Sequence, residues 1–139
     1  MHIYLMARYT RYLEMQEVAH YLVALGHIKT SRWIWGAHQA SDEAIGSGML
    51  GDFERRLAEE DMADLCAAQV CVGFSEPPRA ANRGGRMVEL GLALAWGNRV
   101  VAVGGHEHVF HALKHVEHVL DTTALYHLFA EELSLYSTH

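Results

Sequence analysis

Residues 83–105 read RGGRMVELGLALAWGNRVVAVGG, and this stretch predicts a loop, a helix and a strand in that order. The helix covers Met87–Trp96, where nearly every position is apolar, and Gly97 ends it. The strand covers Val100–Val103, a short run of small and β-branched residues. A buried helix that leads directly into a buried strand is typical of an α/β fold.

The rest of the chain continues this alternation. Apolar residues at helical spacing predict further helices, and short runs of β-branched residues predict further strands. The predicted helices are Arg11–Leu25, Asp52–Ala68 and Thr122–Leu135, and the predicted strands are His2–Ala7, His27–Trp35 and Val70–Phe74. Strands separated by helices run parallel through right-handed crossovers. The sequence therefore predicts a three-layer, flavodoxin- or Rossmann-like sandwich with four or five parallel strands in the order 2-1-3-4-5.

Length and composition limit the classes of function. The chain has 139 residues, half of them apolar, so we expect one domain over residues 1–139. Its formal charge of −6 disfavours polymeric nucleic acid as a partner and favours a small molecule. Neither a membrane-spanning run nor a signal peptide is present, so we expect a cytoplasmic protein without membrane contact. Cys66 and Cys71 fit reduced core thiols better than a disulfide or a zinc site.

In a sheet of this order, ligands bind beyond the carboxyl ends of the first and third strands. Two arginine-rich loops are predicted to meet there, and Gly84-Gly85 allows backbone N–H groups to approach an anion closely. The four arginines are Arg8, Arg11, Arg83 and Arg86. Four guanidinium groups around one crevice favour a phosphorylated ligand over a neutral one. The long segment Gly36–Gly51, with four glycines, is typical of a functional lid.

Glu89 is the only charged residue in the apolar helix Met87–Trp96. An acid in the first turn of a helix can simply stabilise the helix dipole. A carboxylate beside the crevice and backed by apolar side chains is also placed to act as a nucleophile or general base, and its position favours this interpretation. The chain has neither a Walker loop nor a GxGxxG motif after the first strand, so ATP and NAD are poor candidates.

Other polar and aromatic residues are less specific. Asp61 and Asp64 lie in EEDMADL, where a solvated acidic face is the ordinary explanation. Trp33 and Trp35 would share one face of the second strand, where we expect core packing for at least one of them. Histidines at 106, 108, 111, 115 and 118 suggest a metal site, but too few other ligands accompany them, and we predict no metal or other cofactor.

The chain resembles the nucleoside 2-deoxyribosyltransferase superfamily, which includes the 2′-deoxynucleoside 5′-phosphate N-hydrolases. The resemblance extends from IYL at 3–5 to the strand at 100–103, and it is strongest in RGGRMVELGLALAWGNRVVAVGG. It implies an enzyme that cleaves the N-glycosidic bond of 2′-deoxynucleosides or their 5′-monophosphates. The sugar passes through a glycosyl-glutamate intermediate and is then transferred to another base or to water.

The resemblance also implies roles for individual residues. Glu89 in VELG matches the family's catalytic glutamate, Tyr4 matches a tyrosine of the first strand, and Asp61 best matches an aspartate that handles the base or sugar. Asp64 and Trp33 are then expected to contact substrate together with Arg8, Arg11, Arg83, Gly84, Gly85 and Arg86. The family also implies a homo-oligomer, for which the segment LYHLFAEELSLY at 125–136 offers an apolar surface.

Two features depart from the family pattern. Ala68-Gln69 replaces an Ala-Asp pair before the third strand, and arginines replace small hydroxyl residues in the loop at 83–86. Gln69 keeps open a second interpretation, in which the chain is a non-catalytic nucleotide sensor with the same fold. A third interpretation is a flavodoxin-like protein that binds an unrelated anion.

Overall fold

A computed structural model describes residues 1–35, 51–77, 84–107 and 109–137. Among these residues five parallel strands form one sheet in the order β2-β1-β3-β4-β5. The strands are β1 (His2–Met6), β2 (Ile28–Lys29), β3 (Val70–Phe74), β4 (Arg99–Val103) and β5 (Val116–Val119). The predicted α/β fold and its strand order are confirmed. Most of the predicted lid, together with Arg83 and His108, lies outside the described residues.

Four α-helices belong to the described part of the chain: α1 (Tyr12–Ala24), α2 (Asp52–Cys66) and α3 (Gly85–Ala95) connect strands, and α4 (Thr122–Ser137) follows β5. Successive residues of a strand point to opposite faces of the sheet. On β4, Arg99 reaches Glu132 of α4, whereas Val100 and Ala102 line a pocket with Met87 and Leu90 of α3. The helices α3 and α4 therefore cover opposite faces.

The helix α2 packs beside α3, and α1 packs beside α4. Tyr21 of α1 stacks on Tyr126 of α4 with 3.8 Å between ring centroids, so α1 and α4 share a face. Leu125 and Phe129 of α4 are buried in the core, so part of the C-terminal apolar segment packs inside the molecule. No helix among the described residues is long and apolar enough to cross a membrane.

The predicted second strand His27–Trp35 is wrong beyond Lys29. Only Ile28–Lys29 pairs with β1, and Arg32–Trp35 forms a 3-10 turn. Side chains replace the backbone ladder here, because Ser31 Oγ accepts the Leu5 N–H (3.2 Å) and Trp33 Nε1 donates to the Leu5 carbonyl (2.8 Å). Trp33 and Trp35 therefore do not share a strand face.

Three further details differ from the expectations. The sequence analysis allowed a fifth strand but did not locate β5, because its four residues include Glu117 and His118 and lie at the edge of the sheet. The cysteines are both free, but only Cys71 is in the core, while Cys66 at the end of α2 is exposed. The helix α3 begins at Gly85, two residues earlier than predicted, after Gly84 with φ of +82°, a backbone conformation that favours glycine.

Candidate active site

Glu89 lies on the flank of α3 that faces β1 and α2. Its Oε2 atom is buried and has no hydrogen-bond partner in the described part of the chain. Burial raises the pKa of Glu89 to about 8, Tyr4 opposes that shift, and the nearby charge of Asp61 adds to it. A carboxyl group with an unpartnered buried oxygen is available to a ligand rather than committed to the fold.

Tyr4 is fully buried on β1, and its side chain points to the face that α2 and α3 cover. Its hydroxyl has no hydrogen bond within the described residues. Burial and the neighbouring Glu89 raise the pKa of Tyr4 well above its ordinary value, with smaller contributions from Asp61 and Asp64. The phenol is therefore neutral, and it can donate a hydrogen bond toward Glu89.

The structure thus brings together the three residues expected to be catalytic. Tyr4 comes from a central strand, Asp61 from α2 and Glu89 from α3. The charge of Asp61 acts on both of the other groups and disfavours ionisation of each. Two acids and one phenol therefore share a poorly solvated space between the sheet and two helices.

Asp64, one turn after Asp61, has a structural contact instead. It is buried, and Oδ2 accepts the backbone N–H of Arg32 at 2.9 Å while Oδ1 accepts Arg32 Nε at 3.0 Å. Asp64 therefore caps the first residue of the 3-10 turn Arg32–Trp35 and links that turn to α2. The interpretation of Asp61 and Asp64 as a solvated acidic face is wrong for Asp64.

Trp33 belongs to an aromatic cluster at the carboxyl end of β1. Its ring is buried and lies 6.3 Å from that of Tyr9, which stacks on Tyr12 at 5.5 Å. The expectation of core packing for at least one tryptophan is confirmed by Trp33, while Trp35 is exposed. Sequence reasoning missed Tyr9, although it stands in the loop after the first strand between two arginines that were singled out.

Two of the predicted anion-binding arginines are already neutralised. Arg11 pairs with Glu14 at 2.8 Å and with Glu76 at 3.2 Å. The guanidinium of Arg86 is buried and makes two 2.5 Å hydrogen bonds to both carboxylate oxygens of Glu107. The expectation of four guanidinium groups available to one ligand is therefore wrong for these two.

The other members of the predicted anion site differ from one another. Arg8 is half-buried and forms no ion pair with a described residue. Gly84 precedes α3 and accepts the N–H groups of Met87 and Val88, and Gly85 is the first residue of the helix. The glycine pair thus starts α3 one turn before Glu89.

The histidines of residues 106–118 do not form a helical face. His106 stacks on His118 at 4.2 Å, and His118 Nε2 donates to the His111 carbonyl at 2.7 Å. Among the described residues no group of three or more His, Cys, Asp or Glu side chains could hold a metal ion.

Gln69 lies at the amino-terminal end of β3. Its Oε1 accepts the His2 N–H at 2.9 Å, and its backbone bonds to His2 and Arg99. Gln69 therefore links the first residues of β1, β3 and β4, at the end of the sheet opposite to the carboxyl ends of the strands. This contact explains Gln69 without any role in ligand binding.

No protein-family model and no curated protein sequence matches the chain. Solved structures are similar to it over most of its length. A 2-deoxyribosyltransferase from the psychrotolerant bacterium Bacillus psychrosaccharolyticus is similar with a TM-score of 0.63 and 16% identity, over 91% of this chain and 90% of that one. The CMP N-glycosidase BcmB of Clostridium botulinum is similar with a TM-score of 0.60 and 12% identity, over 94% and 99% of the two chains. The chain therefore has the α/β fold of a 2-deoxyribosyltransferase and of a CMP N-glycosidase, as its sequence resemblance implied.

Proposed function

We propose that this protein is an enzyme that cleaves the N-glycosidic bond of 2′-deoxynucleosides or their 5′-monophosphates, with Glu89 as nucleophile. The observation that carries the proposal is the Glu89 carboxyl group, whose Oε2 is buried without a partner beside the neutral Tyr4 hydroxyl. Cleaving the bond between C1′ and a base nitrogen builds positive charge on the sugar. A desolvated carboxylate stabilises that charge and is free to bond to C1′.

The reaction then has two steps. In the first, a Glu89 oxygen bonds to C1′, the C1′–N bond breaks, and its electron pair passes to the base nitrogen, which gains a proton. In the second, water or the nitrogen of another base attacks C1′, loses a proton and releases the Glu89 carboxylate. Water gives hydrolysis and a base gives transfer.

Tyr4 and Asp61 serve this carboxylate in different ways. Tyr4 opposes the raised pKa of Glu89, so the phenol favours the ionised form that attacks C1′. Asp61 lies close enough for its charge to act on Glu89, and it is the acid in position to protonate or hold the leaving base. Trp33 and Tyr9 add aromatic surface at the end of β1.

The structural neighbours support the class of reaction. One is described as a 2-deoxyribosyltransferase and the other as a CMP N-glycosidase, so both act on a bond between a sugar and a base. The described residues carry all three groups that the proposed chemistry requires. The choice between water and a base as acceptor is made by the experiment below.

Chromatography of reactions with the purified protein tests the proposal. Deoxynucleosides and their monophosphates are each incubated with and without a free acceptor base. Base released without acceptor indicates a hydrolase, and new nucleoside formed only with acceptor indicates a transferase. We expect Glu89→Gln to lower turnover by about 10³-fold or more. Glu17→Gln, an exposed glutamate of α1, is the matched control and should behave as wild type.

Intact-mass spectrometry of the acid-quenched wild type should show a deoxyribosyl adduct that Glu89→Gln lacks. Turnover retained by a folded Glu89→Gln variant would rule out the nucleophile. Nucleotide binding without any base release by the wild type would instead support the sensor interpretation.

A further inference from the structure

A largely buried ion pair joins Arg86 to Glu107. Arg86 is in the first turn of α3, and Glu107 follows β4. Both outer nitrogens of the guanidinium bond to the two carboxylate oxygens at 2.5 Å. This parallel, two-point contact is the arrangement by which arginine binds the oxygens of carboxylates and phosphates.

Other groups around the Glu107 carboxylate also favour an anion. Burial alone would raise the pKa of Glu107, but Arg86, the backbone N–H of Glu76 and His111 together hold it below its ordinary value. The Nε of Arg86 is buried and has no acceptor among the described residues, so the Glu107 carboxylate leaves this donor unused.

The ion pair borders a small pocket and lies on the same helix as Glu89. Arg86 and Glu107 line a pocket with Ser75, Met87 and His111. Arg86 stands three residues before Glu89 on the same helix, and such positions are about 5–6 Å apart at Cβ. The two side chains therefore leave neighbouring positions of α3, one turn apart.

We infer that Glu107 is a specificity-determining residue, whose carboxylate occupies the anion site of Arg86 so that the enzyme accepts nucleosides and excludes their 5′-monophosphates. The inference rests on the proposed function. It gives Arg86 a partner within the chain, in contrast to the substrate-binding role that its position in the sequence suggested.

Binding of inorganic phosphate tests the site without any catalysis. Thermal melting of wild type, Glu107→Gln and Glu117→Gln is followed with increasing phosphate, against chloride at equal ionic strength. Glu117 also makes a two-point contact to an arginine, through Nε and one outer nitrogen of Arg99, which bonds to Glu132 as well, so Glu117 is the control. We expect Glu107→Gln to bind phosphate at least tenfold more tightly than wild type, and Glu117→Gln to match wild type.

Substrate preference is the second measurement. The ratio of kcat/KM for a 5′-monophosphate to kcat/KM for its nucleoside should rise at least tenfold in Glu107→Gln. The double variant Arg86→Met/Glu107→Met should show neither gain. A folded Glu107→Gln with no gain in phosphate binding overturns the inference even if the protein is inactive. A gain in phosphate binding without turnover supports the site and counts against the proposed function alone.

Removing Glu107 leaves a buried charge without a partner, which is strongly destabilising. Replacing both members of a buried pair with apolar residues is better tolerated, so the double variant keeps the test decisive if Glu107→Gln does not fold. Wild type and double variant should then give the same weak response to phosphate. A wild-type response that the double variant loses would show that Arg86 is open to phosphate, and would overturn the inference.

Discussion

The Tyr4 hydroxyl and the Glu89 carboxyl group are buried next to each other, and Glu89 raises the pKa of Tyr4 whereas Tyr4 lowers the pKa of Glu89. Tyr4 is held neutral, and burial raises the pKa of Glu89 to about 8. Glu89 is therefore largely protonated at neutral pH. That proton affects both stability and activity.

Stability should fall with rising pH because of Glu89. The folded pKa of about 8 lies above the ordinary value of 4.5, so between these values the folded state binds one more proton than the unfolded state. Glu89 therefore lowers the free energy of unfolding by up to about 1.4 kcal/mol per pH unit in this window. Urea unfolding at pH 5, 6 and 7 should show this slope in wild type and in Glu17→Gln but not in Glu89→Gln, and parallel curves for all three would contradict it.

Replacing Tyr4 by Phe should shift the activity profile to higher pH. The phenol opposes the burial that raises the pKa of Glu89, so its loss raises that pKa further and reduces the ionised fraction at neutral pH. The measurement is kcat/KM between pH 5.5 and 9.5, which we expect to rise toward an apparent pKa of about 8 in wild type. Tyr21→Phe, on the opposite face of the sheet, is the control. An unshifted or acid-shifted profile for Tyr4→Phe would refute the role given to the phenol.

Replacing Asp61 by Asn should shift the same profile to lower pH. The charge of Asp61 raises the pKa of Glu89, so a neutral amide lets the carboxyl group ionise more readily. If Asp61 also protonates the base, the maximal rate falls by about 10²–10⁴-fold while the profile moves. Glu59→Gln, an exposed acid of α2, should change neither quantity. A profile that moves to higher pH would show that Asp61 acts on Glu89 in some other way.

Asp64→Ala should destabilise the protein much more than Glu60→Ala, although both acids pair with Arg32. Asp64 is buried and holds a backbone N–H, so its loss should cost about 1–3 kcal/mol in the free energy of unfolding. The exposed pair between Arg32 and Glu60 contributes about 0–1 kcal/mol. Urea midpoints compare the two variants, and equal losses would contradict the structural role of Asp64.

The sequence predicted the sheet order because parallel strands alternating with helices permit few arrangements. It also singled out Glu89, because a single charge on an apolar helix is unusual, and the structure buries that residue near Tyr4 and Asp61. The predicted second strand was wrong beyond Lys29, because β-branched and aromatic residues fit a buried strand and a buried 3-10 turn equally well. Only the side-chain bonds of Ser31 and Trp33 to β1 distinguish the two.

The partners of the arginines were not predictable from local sequence. Glu107 is 21 residues from Arg86, and Glu76 is 65 residues from Arg11. Each pair forms only because the carboxyl ends of neighbouring strands bring distant loops together. Charge type and spacing therefore singled out these arginines, but they did not show that Arg11 and Arg86 already pair with carboxylates.

The register between β1 and β3 joins Ile3 to Val70 and Tyr4 to Cys71, so the centre of the sheet pairs residues that are far apart in the chain. Such non-local contacts make folding slow, because loop closure precedes any gain from pairing. During synthesis the first strand has no central neighbour until the third emerges from the ribosome. Glu89 follows later still, so under the proposed function a truncated or half-folded chain lacks a complete site, and turnover would measure the fraction of molecules that have completed the fold.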